Sequence, residues 1–94
     1  MAKNRFIAYD LHLPGSNQQK VEGIIRSFGT HSKVLSNAWY VKTELTPTAI
    51  RDRITPVLNE HDKLLVLDAK QATSWNLNQS AWAGVMDKWR SLFD

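Results

Sequence analysis

Val21, Ile24, Ile25 and Phe28 recur at i, i+3, i+4 and i+7, which commits this stretch to an amphipathic helix with a single apolar stripe. A stripe of that kind has to be covered, and the flanking residues show by what. Upstream, Arg5-Phe6-Ile7-Ala8-Tyr9 reads as a strand of roughly residues 4–11. Downstream, Lys33-Val34-Leu35 and Trp39-Tyr40-Val41-Lys42-Thr43 read as two strands joined by the turn formers Ser36-Asn37, a hairpin. Ser16 or Asn17 is placed to cap the helix, and Gly29 stands where a left-handed residue would end it. The first half of the chain is therefore a helix on a sheet.

Thr46-Pro47 starts a second helix, with an N-cap hydroxyl followed by proline at the first helical position, and Ile50, Ile54, Val57 and Leu58 line its inner side. Pro56 removes a backbone donor and crowds the carbonyl of Asp52, so this helix is expected to kink or stop near Thr55. Residues 63–69 form the fourth strand, and the unbroken run Leu64-Leu65-Val66-Leu67 suits burial on both faces or at the sheet centre. The order strand, helix, strand, strand, helix, strand defines an α+β, ferredoxin-like βαββαβ domain. It predicts an antiparallel sheet of order 4-1-3-2 with both helices on one face. That topology brings Asp10, at the exit of the first strand, beside Asn37-Ala38 and Asp62, with Gly15-Ser16 above. Further on, Trp82, Val85, Met86, Trp89 and Phe93 repeat at i, i+3, i+4, i+7 and i+11, a C-terminal amphipathic helix that packs on the free sheet face or on a second subunit. The expectation is one domain over residues 1–94, with its core in about 4–70 and an extension over about 71–94.

Composition narrows the function classes. Twelve Lys and Arg against nine Asp and Glu give a formal charge of +3, which tolerates a nucleic-acid partner without demanding one. With no cysteine there is no disulfide framework, and the longest aliphatic run is far too short to cross a bilayer. Met1-Ala2-Lys3-Asn4-Arg5 has none of the apolar core of a signal peptide, so no membrane and a cytoplasmic location are expected. A chain of 94 residues has a small core, and a homodimer interface would add to it.

Among the side chains that carry chemistry, Asp10 stands out because a carboxylate where a strand meets a loop is held rigidly yet reaches solvent. Loops after strands are also rich in Asp for turn-making reasons. Mg2+ is commonly held by one or two carboxylates together with waters and phosphates, so two copies of Asp10 in a symmetric dimer would suffice, with Asn37 and Asp62 as supporting neighbours. Lys3, Arg5, Lys33 and Lys42 lie on strand segments and are the candidate contacts to RNA or DNA, although lysines on strands are more often solvating or edge-protecting. Tyr9 and Tyr40 are suited to stack on bases, but aromatics on central strands are usually core. His12, His31 and His61 fall in loops or strand ends with no spacing that implies a zinc site. No Ser-His-Asp arrangement or glycine-rich phosphate loop is present, and capping explains Gly15-Ser16.

Tyr9-Asp10-Leu11, Pro14-Gly15, the segment Asn37-Ala38-Trp39-Tyr40-Val41-Lys42-Thr43, Leu45-Thr46 and the alternation Asp62-x-Leu64-x-Val66 together resemble the SinR-like small bacterial and phage proteins. Those are similar in turn to the CRISPR-associated endoribonucleases of the spacer-acquisition complex, and the resemblance covers about residues 5–70. It implies a ferredoxin-like homodimer in which the aspartate ending the first strand, here Asp10, ligates Mg2+ at the subunit interface and serves phosphodiester cleavage. Leu13-Pro14 replaces the basic residue usual shortly after that aspartate, and Asn37 stands where the family carries serine. The expectation is thus a dimeric, nuclease-like protein acting on RNA or DNA. The competing class is a non-catalytic dimer of the same fold that binds nucleic acid or protein.

Overall fold

β1 (Lys3–Asp10), α1 (Pro14–Arg26), β2 (Thr30–Leu35), β3 (Ala38–Thr43), α2 (Pro47–Ile54) and β4 (Lys63–Asp68) follow one another in the expected order. The computed structural model describes residues 2–71 together with Thr73, Trp75 and Val85. The four strands form one antiparallel sheet of order β2-β3-β1-β4, which counted from the other edge reads β4-β1-β3-β2. Architecture and connectivity are those of an α+β domain compatible with a small ferredoxin-like fold.

Period-two alternation sorts the strands onto two faces. Ile7 and Tyr9 of β1 and Trp39 and Val41 of β3 are buried with Val21, Ile25 and Phe28 of α1 and Ile50 and Ile54 of α2, so both helices share one face. Ile24, Leu64 and Val66 are half-buried around this cluster. Asn4, Phe6, Ala8 and Asp10, with Ala38, Tyr40 and Lys42, point to the opposite face by the same alternation.

Local chemistry places the element ends. Thr46 caps α2 by accepting the Ala49 N–H on its hydroxyl at 3.1 Å, a contact worth about 1 kcal/mol. After Ile54 the chain tightens into a 3-10 turn (Thr55–Val57) holding Pro56, which is where the α-helical ladder had to stop. Gly29 has φ 147°, and a Cβ there would sit 2.6 Å from the carbonyl oxygen of Lys42 on β3. Glycine is needed at that point for both the backbone angle and the close approach.

Two expectations need correction. Helix α1 begins at Pro14 with Leu13 at the N-cap and no side-chain cap, because Ser16 and Asn17 are used in tertiary bonds instead. The Ser16 hydroxyl accepts from Asn59 Nδ2, while Asn17 Nδ2 donates to the Val57 carbonyl and to Asp62. The aliphatic run of β4 is neither buried on both faces nor at the sheet centre: β4 is an edge strand, and Leu65 and Leu67 are 55% and 45% exposed on the face away from the helices. Its aliphatic run looked central because Leu64 and Val66 alone do pack inward. Of the stretch expected to form a C-terminal amphipathic helix, Val85 is helical and buried, and Trp82, Met86, Trp89 and Phe93 lie outside the described residues.

Candidate functional site at the end of β1

The last residues of β1 are held on both sides. Ala8 pairs with Ala38 of β3, and the Tyr9 N–H donates to the carbonyl of Asn37 at 3.0 Å. On the other side Asp10 lies opposite Lys63, the first residue of β4. Asp10 is exposed, and among the described residues no hydrogen bond or ion pair engages its carboxylate. It rims two clefts, each about 250 Å³. One is closed by Leu11, Gln18 and Ser36, the other by Ala8, Leu64 and Leu65, and Asn37 borders both. Asp10 at the strand end and Asn37 in the β2–β3 turn are therefore together, as expected, and open to solvent.

Asp62 directly precedes Lys63, the residue opposite Asp10, but is committed elsewhere. Its Oδ1 accepts the His12 N–H at 2.7 Å, and its Oδ2 accepts the Asn59 N–H at 2.7 Å and Asn17 Nδ2 at 2.9 Å. The Asn59 and His12 backbone donors, with Asn17, hold its carboxyl below the usual carboxylate range. An acid with both oxygens occupied by amides is a structural clamp, and it ties the loop after β1 to the loop before β4. Asn17 Oδ1 is buried and has no hydrogen-bond partner among the described residues.

The four predicted cations do not converge on Asp10. Arg5 is 5% exposed, donates through Nε to the Leu45 carbonyl at 3.0 Å and pairs with Asp68. Lys3 and Arg5 stand at the other end of β1, roughly 23 and 17 Å along the strand from Asp10. Lys33 faces the helix layer and binds Glu22 Oε2 at 2.7 Å. Lys42 lies on the same face as Asp10 but opposite Asn4, at the far end. The cation nearest Asp10 in the ladder is Lys63, which residue patterning did not single out because only strand register places it there.

The sequence reading also missed a polar chain that runs from the core out to the surface beside α1. Trp39 Nε1 donates to the Tyr9 hydroxyl at 3.1 Å, the Tyr9 hydroxyl donates to Glu22 Oε2 at 3.1 Å, and Lys33 Nζ closes the chain on the same oxygen. Burial raises the Tyr9 pKa, and the Glu22 carboxylate adds to the shift against the opposing Trp39 bond. Burial alone would raise Glu22 too, but the hydrogen bonds from Lys33 and Tyr9 bring it below its ordinary value. Arg26 and Lys33 stand 5.8 and 5.9 Å from the Trp39 ring centroid. On the opposite face Tyr40 is 2% exposed and its hydroxyl donates to Asn4 Oδ1, so its ring is not a surface on which a base can stack.

Oxygen donors at this strand end suit a hard cation, but among the described residues one chain supplies a single uncommitted carboxylate there. No group of three or more His, Cys, Asp or Glu converges on a point among the described residues. Nor is any helix among them long and apolar enough to cross a membrane. No protein-family model, curated protein or solved structure matches the chain.

Proposed function

We propose that this chain is a dimeric, nuclease-like protein that acts on phosphodiesters of RNA or DNA at Asp10, with two copies combining their aspartates around Mg2+. The observation that carries the reading is the contrast between the two neighbouring acids. Asp62 has both oxygens bound by amides, whereas Asp10 is exposed, unengaged and rigidly held between two clefts. Asp10 would hold the metal, with Asn37 positioned beside it, and Lys63 would meet the phosphate charge. Mg2+ supplies Lewis acidity at the phosphoryl oxygens when bound. The resemblance of residues 5–70 to the SinR-like proteins and the CRISPR-associated endoribonucleases supports the same assignment.

A second reading is favoured by the arrangement of cations. Because Lys3, Arg5, Lys33 and Lys42 do not surround Asp10, a non-catalytic dimer that binds nucleic acid or protein accounts for the charge distribution without a reaction. The deciding experiment is Mg2+-dependent cleavage of single- and double-stranded RNA and DNA by the wild type and by Asp10→Ala. Cleavage that needs Mg2+ and vanishes in the variant establishes the first reading. Retention of nucleic acid with no cleavage in the wild type establishes the second.

A further inference from the structure

His12 and His61 are 49 residues apart in sequence, and neither carries a motif. The fold nevertheless sets their rings 5.3 Å apart between centroids, with the planes inclined at 60°. Both are exposed, and no hydrogen bond engages a ring nitrogen of either among the described residues. The Asp62 clamp fixes both main chains. It takes the His12 N–H on one oxygen, and on the other it caps the turn from Asn59 in which His61 sits, a turn closed by the Asp62 N–H donating to the Asn59 carbonyl. Asn59 Nδ2 adds a second tie across the same two loops through the Ser16 hydroxyl.

We propose that His12 and His61 form a two-imidazole binding site for a divalent ion of the zinc class. With metal–nitrogen bonds of about 2.0–2.1 Å in a tetrahedral field, two ligating imidazoles have centroids roughly 5 Å apart, close to the 5.3 Å at which these rings stand. The rings meet edge-on and both side chains are exposed, so binding takes a turn of the rings that brings one nitrogen of each to the ion while the backbones stay where they are. No third protein ligand converges with them among the described residues, so the remaining positions go to water or to a donor brought by a partner. This site is chemically separate from Asp10. Imidazole selects Zn2+, Cu2+ and Ni2+, whereas carboxylate oxygens select Mg2+, so either assignment survives the failure of the other.

The test is calorimetric titration of the full untagged chain with Zn2+ near neutral pH, beside His12→Gln, His61→Gln and His31→Gln. The expected result is saturable uptake of one ion per chain, weakened about tenfold or more by either of the first two substitutions and unchanged by the third. Nuclear magnetic resonance of the wild type with Co2+ gives a readout that needs no variant, since the imidazole signals of His12 and His61 should broaden first and together. Absence of saturable Zn2+ binding overturns the proposal. So does binding that survives both substitutions, or broadening centred on His31 or on the carboxylates.

Discussion

The Asp62 carboxylate and the main-chain N–H of His12 are joined by a 2.7 Å hydrogen bond that spans fifty residues of chain. It fastens the exit of β1, where Asp10 stands, to the entry of β4 at Lys63 opposite. The geometry of the candidate site therefore depends on an acid that is not itself available to a ligand.

That dependence has a pH signature. Amide donors hold the Asp62 carboxyl below its ordinary value, so its stabilising contribution is complete above the unfolded-state Asp pKa of about 3.9 and is lost as pH falls through the lower folded value. Urea unfolding from pH 6 down to pH 2 should show stability declining on the acid side. Asp62→Asn should be less stable than the wild type at pH 6, and the difference should shrink as the pH falls.

Ile25 and Ile54 are fully buried, one on each helix, and they meet the same sheet face. Truncating either to Ala should cost about 2–5 kcal/mol, read from the urea midpoint at unchanged slope. A cost below 1 kcal/mol at both positions would mean that the two helices do not share this core.

At Gly29 both the backbone angle and the 2.6 Å approach to the Lys42 carbonyl oppose a side chain. Gly29→Ala should destabilise the fold by about 1–3 kcal/mol. Gly15→Ala serves as the comparison, because a Cβ there meets nothing within 4 Å, and it should change stability far less.

The chain has two tyrosines, and both are buried. Burial pushes Tyr40 up to about 12 and raises Tyr9 as well. Phenolate absorbance in an alkaline titration should therefore lag behind the ordinary value of about 10 for both rings. Stability held below pH 10 should be lost as the pH climbs toward 12, since the unfolded chain ionises first. Tyr40→Phe should remove part of that alkaline loss.

Much of this fold is legible in the sequence because its signals are local. Thr46-Pro47, Pro56 and the Val21 to Phe28 stripe each carry their own steric or periodic reason, and each structural element formed where that reason applies. The start of α1 was misread because Ser16 and Asn17 are good caps that tertiary partners 43 and 45 residues away, Asn59 and Asp62, claim instead. β4 was misread for a related reason. Leu65 and Leu67 carry the same hydropathy as their inward neighbours, and only the pairing with β1 alone shows that they face outward. At the candidate site, Asp10 and Asn37 were readable from strand and turn patterning. The commitments of Asp62 and Arg5, the register of Lys63 and the pairing of His12 with His61 come from long-range closure and leave no trace in local sequence.

The placement of β4 at the rim has a consequence for how the protein behaves in concentrated solution. Four consecutive aliphatic residues with Leu65 and Leu67 turned outward are a template for an incoming strand, and the charges within β4 that discourage one, Lys63 and Asp68, sit at its two ends. Asp68 is also drawn into its pairing with Arg5, which leaves Lys63 as the principal gatekeeper. Neutralising that single lysine should promote filament-like association far more than a one-unit change in net charge would suggest.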